Sequence, residues 1–360
     1  MSTAVASPDR PLALTTDEEL LDDLVRLAAA AGVVLDVVTE PAGVRRTWST
    51  APLVLVGADA SAALARAAPM HRPGVVVVGR SPQISHWRNA VELGADLVVS
   101  LPEQEADLVD RLADAAEGIS REAATICVIG GRGGAGATTL ATALAVTATS
   151  ERLSVMLVDG DLLGGGIDLM LGGEHIHGLR WPDLVSTEGR VSAAALRAAL
   201  PQMDELVVLS WDRGDVVAAS AEAMRAVLAA ARRASDLVVV DLPRHLDEAA
   251  AAALANCTTA LLVVPAELRA TASAARVAAV LTPRAPDVRL VVRGPGPAGL
   301  DGELIAHTLG LPLAAQLPPE PGLEGLLEQG IAPASSGKGP LATFTRRFLA
   351  ELMSTRSAAA

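Results

Sequence analysis

The sequence predicts an α/β protein built as two doubly wound parallel-sheet domains in tandem. Three observations carry this expectation. Short apolar runs alternate with helical patterns from residue 11 to about residue 118. Residues 128–139, VIGGRGGAGATT, join an apolar run to a glycine-rich loop and then to an alanine-rich helical pattern. Residues 235–247, SDLVVVDLPRHLD, form a second apolar run that ends in Asp241 and a proline. Strands that alternate with helices assemble into parallel sheets covered on both faces.

Composition sets the limits. The chain has 360 residues, 51% of them apolar and only 2% aromatic, so its cores must be built from Ala, Val and Leu. Its net charge of −13 argues against broad nucleic-acid binding, which needs a basic surface. Cys127 and Cys257 both sit in apolar segments, as reduced, buried thiols do. The start, MSTAVASPDR, lacks a charged segment followed by an apolar core, so a cytoplasmic protein is expected. The uncharged residues 249–266 contain Asn256, two threonines and Pro265, and read as a helix end and a strand rather than a membrane span.

Taken in order, residues 1–10 read as a flexible leader. PLALT is a strand, and residues 17–31 a helix with Leu20, Leu21, Leu24 and Leu27 on its apolar face. VVLDVV, PLVLVG, GVVVVG and DLVVS supply four more strands, and residues 103–123 a charged helix and a linker (119–123). Five strands in residues 11–118 resemble a response-regulator receiver, with a flavodoxin-like layout. The places of the receiver's acids, phosphate-accepting Asp and Lys hold Thr15 and Thr16, Gly57 and Ser100. Asp17 and Asp59 lie nearby but off register. Without an acidic cluster Mg²⁺ has no site, so a degenerate receiver used for docking or dimerisation is expected.

The second domain is expected over residues 124–352, with a tail at 353–360. Glycines let backbone N–H groups turn inward, and a helix N-terminus favours an anion. Gly131, Gly136 and Thr138 fit the phosphate-loop pattern G-x-x-x-x-G-K-[ST], but Ala137 occupies the lysine position. The chain has one lysine, Lys338, in the Gly/Ser/Pro loop ASSGKGP, where it reads as a solvated side chain. Strands at LSVMLVDGDL, ELVVLSW, TALLVVP, RLVVRGPG and LPLAAQL complete the sheet, with helices between. His175 and His177 alternate as a metal pair would, but no third ligand is near and a loop with exposed histidines is expected. Trp181 precedes Pro182 and packs its loop down. The last helix, LATFTRRFLAELM, can place Leu341, Phe344, Phe348, Leu349 and Leu352 on one face.

GRGGAGATT resembles the deviant Walker A loop, GKGGxGKTT, of the MinD/ParA superfamily of P-loop NTPases. The resemblance implies an ATP/ADP and Mg²⁺ site formed by Gly131, Arg132, Gly133, Gly134, Ala135, Gly136, Ala137, Thr138 and Thr139. Arg132 falls where the family's first lysine reaches across a dimer to the partner's nucleotide. Asp159 and Asp161 resemble the family's D-x-D, and Asp168 and Gly172 continue that segment. Asp241 resembles the Walker B acid, and Arg293 opens a turn that lies near the nucleotide base in relatives. Thr138, Asp161 and Asp241 are the expected Mg²⁺ groups, partly through water, and Asp161 and Arg132 the expected catalytic ones.

A receiver-like domain followed by a MinD-like domain is the arrangement of CpaE-like proteins. The lysine-less loop and the LRWPDL segment are especially like those of the actinobacterial septum site-determining branch. The resemblance implies a homodimer that works with cell-division proteins in septum placement, or with pilus or secretion machinery. It also implies weak nucleotide binding with slow or absent hydrolysis. No membrane-targeting helix follows LATFTRRFLAELM, so recruitment to a membrane or septum would be through partners. A DNA partition protein is disfavoured by the charge.

Overall fold

In the computed structural model, residues 10–44, 47–80, 84–116, 123–187, 191–296 and 299–358 are described. Most of the expected leader (1–9) and linker (119–122) lie outside these residues. The chain forms two compact units, residues 1–121 and 122–360.

The first unit is a five-stranded, all-parallel sheet in the order β2-β1-β3-β4-β5. The strands are β1 Leu12–Leu14, β2 Asp36–Val38, β3 Val54–Gly57, β4 Val75–Gly79 and β5 Leu97–Ser100. Alternation sorts their side chains into two cores. Leu12, Leu14, Val54, Val56, Val75 and Val77 face one side, and Ala13, Leu55, Val76, Val78 and Val99 the other. Asp17 is not an acid of the strand edge. It caps helix Glu18–Ala30, its carboxylate accepting from Glu19 N and Leu20 N.

At the C-terminal edge of this sheet Asp59 is tied down. It accepts from the Thr15 hydroxyl, the Thr16 hydroxyl and the Thr16 N–H, each at 2.8 Å. Burial raises its pKa, but these donors outweigh it and hold the carboxyl below its ordinary range. A Cβ on Gly57 would run into the Asp59 carboxylate and come within 2.7 Å of Thr15 Oγ1. The space beside Gly57 is thus filled by Asp59 and Thr15.

The second unit holds an eight-stranded sheet in the order β13-β12-β11-β6-β10-β7-β9-β8. Its strands are β6 Ala124–Gly130, β7 Val155–Asp159, β8 Gln202–Met203, β9 Leu206–Leu209, β10 Leu237–Leu242, β11 Thr259–Pro265, β12 Val288–Arg293 and β13 Leu313–Leu317. All pair in parallel except β8, a two-residue edge strand antiparallel to β9. So short a strand leaves no periodicity to read in the sequence.

Both faces of this sheet are covered. Helices Ala221–Ala234, Glu248–Ala255 and Leu268–Leu281 cover Cys127, Ile129, Val240 and Leu262 on one side. Helices Ala137–Ser150 and Pro340–Ala358 cover Ile126, Val128, Leu157 and Val239 on the other. Leu341, Phe344, Phe348, Leu349 and Leu352 are all buried there, and Thr147 and Thr345 share a hydrogen bond of 2.7 Å. Each buried Leu or Phe of this kind contributes about 1.5–3 kcal/mol. The closing helix runs to Ala358, so residues 353–358 continue it rather than form a tail, and the Ser354 and Thr355 hydroxyls bond back to Glu351 O. Among the described residues no helix is long and apolar enough to cross a membrane.

Candidate functional site

β6 ends at Gly130, the chain turns through Gly131–Gly136, and helix Ala137–Ser150 begins. Gly131 is required by packing: its N–H donates to Val263 O at 2.8 Å, and a Cβ would lie 2.8 Å from Ala274 Cβ. Gly134 and Gly136 have φ of +69° and +97°, which side-chain-bearing residues rarely adopt. Nothing lies within 4 Å of a Cβ on Gly133 or Gly134, so the tip of the loop faces open space. No described residue accepts from the backbone N–H groups of Gly133, Gly134, Gly136, Ala137, Thr138 or Thr139. A row of unpaired N–H groups at the positive end of a helix dipole is an anion cradle.

Parallel pairing aligns the acids beside it. β10 lies between β6 and β7, in a register that sets Asp241 against Val128 on one side and Asp159 on the other. Asp241 is buried, and the Thr138 side chain in the first turn of the helix is near enough to lower its pKa. Gly160 N donates to Asp241 O at 2.7 Å, which fixes the end of β7 against the end of β10. Burial pushes the Asp241 carboxyl up to about 8, against the opposing effect of the nearby Thr138 side chain, and the charges of Asp159 and Asp161 add to the rise.

The two acids of the D-x-D divide their work. Asp159 is 2% exposed, and its oxygens accept from Asp161 N (3.1 Å), Ile167 N (3.1 Å) and the Ser210 hydroxyl (3.2 Å). These bonds give it the task of fixing the 160–167 turn, rather than facing a ligand. Burial raises it to about 7 despite these donors. Asp161 is half-buried and accepts from Leu163 N.

The residues fit a Mg²⁺–nucleotide. The cradle offers unpaired donors, and Asp241 is a buried carboxyl without a cation. Among the described residues no three His, Cys, Asp or Glu side chains converge as a metal site. That suits Mg²⁺, which keeps several waters and takes one or two protein groups plus phosphate oxygens. Thr138, Asp161 and Asp241 are the residues that could hold it.

The loop's cations are arranged unevenly. Arg132 Nη2 is 2.9 Å from Glu267 Oε1 of the same chain. Arg293, the last residue of β12, brings Nη1 to 3.1 Å from the Cβ position of Gly136. Lys338 is exposed in its loop, and His175 and His177 are exposed as well.

A group invisible in the sequence braces the segment behind Asp159. Asp168 is wholly buried and takes two bonds from Arg213 (2.9 and 2.7 Å) and one from Arg180 (3.3 Å). Ser210 touches both Asp159 and Asp168. Burial works to raise the Asp168 carboxyl, but Arg213 and then Arg180 hold it below the usual range. Trp181 is fully buried, stacks on Trp211 with centroids 5.5 Å apart, and donates from Nε1 to Asp159 O at 2.6 Å. The LRWPDL segment thereby anchors the end of β7.

Comparisons with known proteins agree with this geometry. Residues 14–123 match the family described as Rv3660c-like, CheY-like N-terminal domain. Residues 122–282 match the ParA family described as NUBPL iron-transfer P-loop NTPase. The Mycobacterium tuberculosis (strain ATCC 25618 / H37Rv) protein named Uncharacterized protein Rv3660c is 42% identical over 322 residues, 88% of this chain and 91% of that protein. The chain belongs to the Rv3660c family. Two solved structures share the fold of its second unit. A ParA family ATPase from Chlorobium tepidum TLS aligns with a TM-score of 0.57 at 16% identity, over 62% of this chain and 98% of that one. The MinD cell division protein of Aquifex aeolicus aligns at 0.52 and 23% identity, over 63% and 98%. This Rv3660c-family chain is thus a CheY-like domain followed by a MinD/ParA-type P-loop NTPase domain.

Proposed function

We propose that this chain is a MinD/ParA-type positioning protein that binds ATP or ADP with Mg²⁺ weakly and hydrolyses ATP slowly or not at all. The observation that carries this is the row of unpaired loop N–H groups at the end of β6, with buried Asp241 on the neighbouring strand and Ala137 at the lysine position: the cradle and its acid are kept while the lysine is gone. A bound Mg²⁺–nucleotide would supply binding free energy that favours one conformation or dimer of the chain. The loop N–H groups would hold phosphate oxygens, and Thr138 and Asp241 would orient the cation's shell. Loss of one charge-stabilising contact on a transferring phosphoryl group costs about 10²- to 10³-fold in rate.

The septum site-determining protein MinD of Pyrococcus horikoshii OT3 was solved with Mg-ADP, which supports this ligand class. The MinC:MinD complex of Aquifex aeolicus supports a role exerted through partner proteins. Our reading is a regulator of septum placement, working as a homodimer recruited by cell-division partners. Arg132 at the dimer-lysine position favours a second reading: a slow CpaE-like dimer cycle that localises pilus or secretion machinery.

Titration with a fluorescent ATP analogue, with and without Mg²⁺, tests the binding. Saturation that Mg²⁺ strengthens and D241N weakens is expected. No saturation under either condition would overturn the proposal.

A further inference from the structure

We infer that Arg293 is the cation that binds the ground-state phosphates of this site, where position 137 supplies no charge, without replacing a lysine in the transition state. The inference rests on the proposed nucleotide reading and changes the task of Arg293 within it, from the base to the phosphates.

Three observations converge. First, position 137 carries no charge, and the chain's one lysine lies elsewhere, exposed at position 338. Second, the other loop cation, Arg132, is already compensated by Glu267 at 2.9 Å. Third, β12 delivers a guanidinium to the loop from the side. Arg293 pairs with Pro265 of β11 and Leu317 of β13, and its Nη1 stands 3.1 Å from where a Gly136 Cβ would be. A side chain at 136 would therefore crowd Arg293 as well as strain a φ of +97°.

The electrostatics point to an anion. Gly136 is the cap of helix Ala137–Ser150, so the guanidinium lies at the positive end of that helix. Among the described residues Arg293 has no hydrogen bond or ion pair with an acid. Two positive ends facing each other favour an anion between them, and Glu320, the acid that lines the clefts beside Arg293, is engaged by Leu341 N at 2.8 Å. Arg293 also forms a wall common to two clefts. One is bounded by Gly136, Thr139, Leu140 and Leu317, the other by Glu267, Gly294 and Pro319, and Glu320 lines both. A phosphate chain leaving the loop for either cleft passes this guanidinium. A planar fork can take two phosphate oxygens at once, which an ammonium cannot. The ligand class is a nucleoside di- or triphosphate.

The test is a double-mutant cycle on ADP affinity by calorimetry, using wild type, R293M, A137K and R293M/A137K. R293K serves as the charge-conserving control, and thermal melts verify the fold. Arg293 is exposed at a strand end, so its single variants are expected to melt as wild type. R293M should weaken ADP roughly 10- to 100-fold, the usual value of a charged hydrogen-bond pair. R293K should recover part of that loss, and A137K should restore R293M while adding much less to wild type. Equal ADP affinity of R293M and wild type overturns the inference and leaves the nucleotide reading intact. Strictly additive effects of R293M and A137K overturn it too, because they assign Arg293 to the base or ribose. Failure of wild type to bind ADP at all overturns both readings.

Discussion

Arg132 Nη2 lies 2.9 Å from Glu267 Oε1, so the cation at the head of the glycine loop is held by an acid of its own chain. In the proposed dimer cycle, an arginine so held would reach a second copy only after the pair opens. Both side chains are more than a third exposed, so the pair is worth at most about 1 kcal/mol. E267A should therefore leave the melting temperature nearly unchanged and raise the fraction of dimer in ATP. R132A should lower it. Sedimentation velocity with and without ATP reads both, and an E267A dimer fraction equal to wild type would remove the latch from the account.

Stability without ligand should fall as pH rises from about 4 to about 8. Asp159 and Asp241 have folded-state pKa values raised to about 7 and about 8, above the unfolded value near 4. In that window the folded state holds protons that the unfolded state has released. Each unit of pH in that window then costs stability. Melting curves of wild type and D241N across this range test it. D241N should flatten the slope, as should Mg²⁺ with ADP, and a slope unaltered by either would contradict the assignment.

Asp168 should behave in the opposite sense. Its pKa is lowered, so its contribution is present above the usual carboxylate range and lost only in acid. D168A leaves Arg180 nearly buried without its partner and should cost about 3–5 kcal/mol. Arg213 is 44% exposed, and R213M leaves Asp168 still bonded to Arg180 and Ser210, so it should cost less, about 1–2 kcal/mol. Denaturant melts of the two variants give the ranking, and a larger loss for R213M would be inconsistent with the clamp.

The parallel sheets, the glycine loop and Asp241 were legible because each is written in contiguous residues: an apolar run, then a turn, then a helix or a strand-end acid. What depends on folding was not. Asp59 stands two residues past its strand, and only the closure of β1 against β3 brings Thr15 and Thr16 onto it. Asp168 meets Arg180 and Arg213 from 12 and 45 residues away in the sequence, and no spacing announces either pairing. Asp159 carries the motif of a ligand-facing acid, yet its oxygens are taken by Asp161, Ile167 and Ser210. Arg293 could be placed near the turn after its strand, but the direction of its guanidinium toward Gly136 is a property of the packed sheet.

In the proposed function the nucleotide site is kept for binding and reduced in turnover at Ala137. Phosphate release from saturating ATP and Mg²⁺, followed for wild type and A137K under the same conditions, tests it most directly. Wild type should release phosphate at a rate on the order of 10²-fold or more below A137K, while both bind the nucleotide. Wild-type turnover equal to that of A137K would contradict the account.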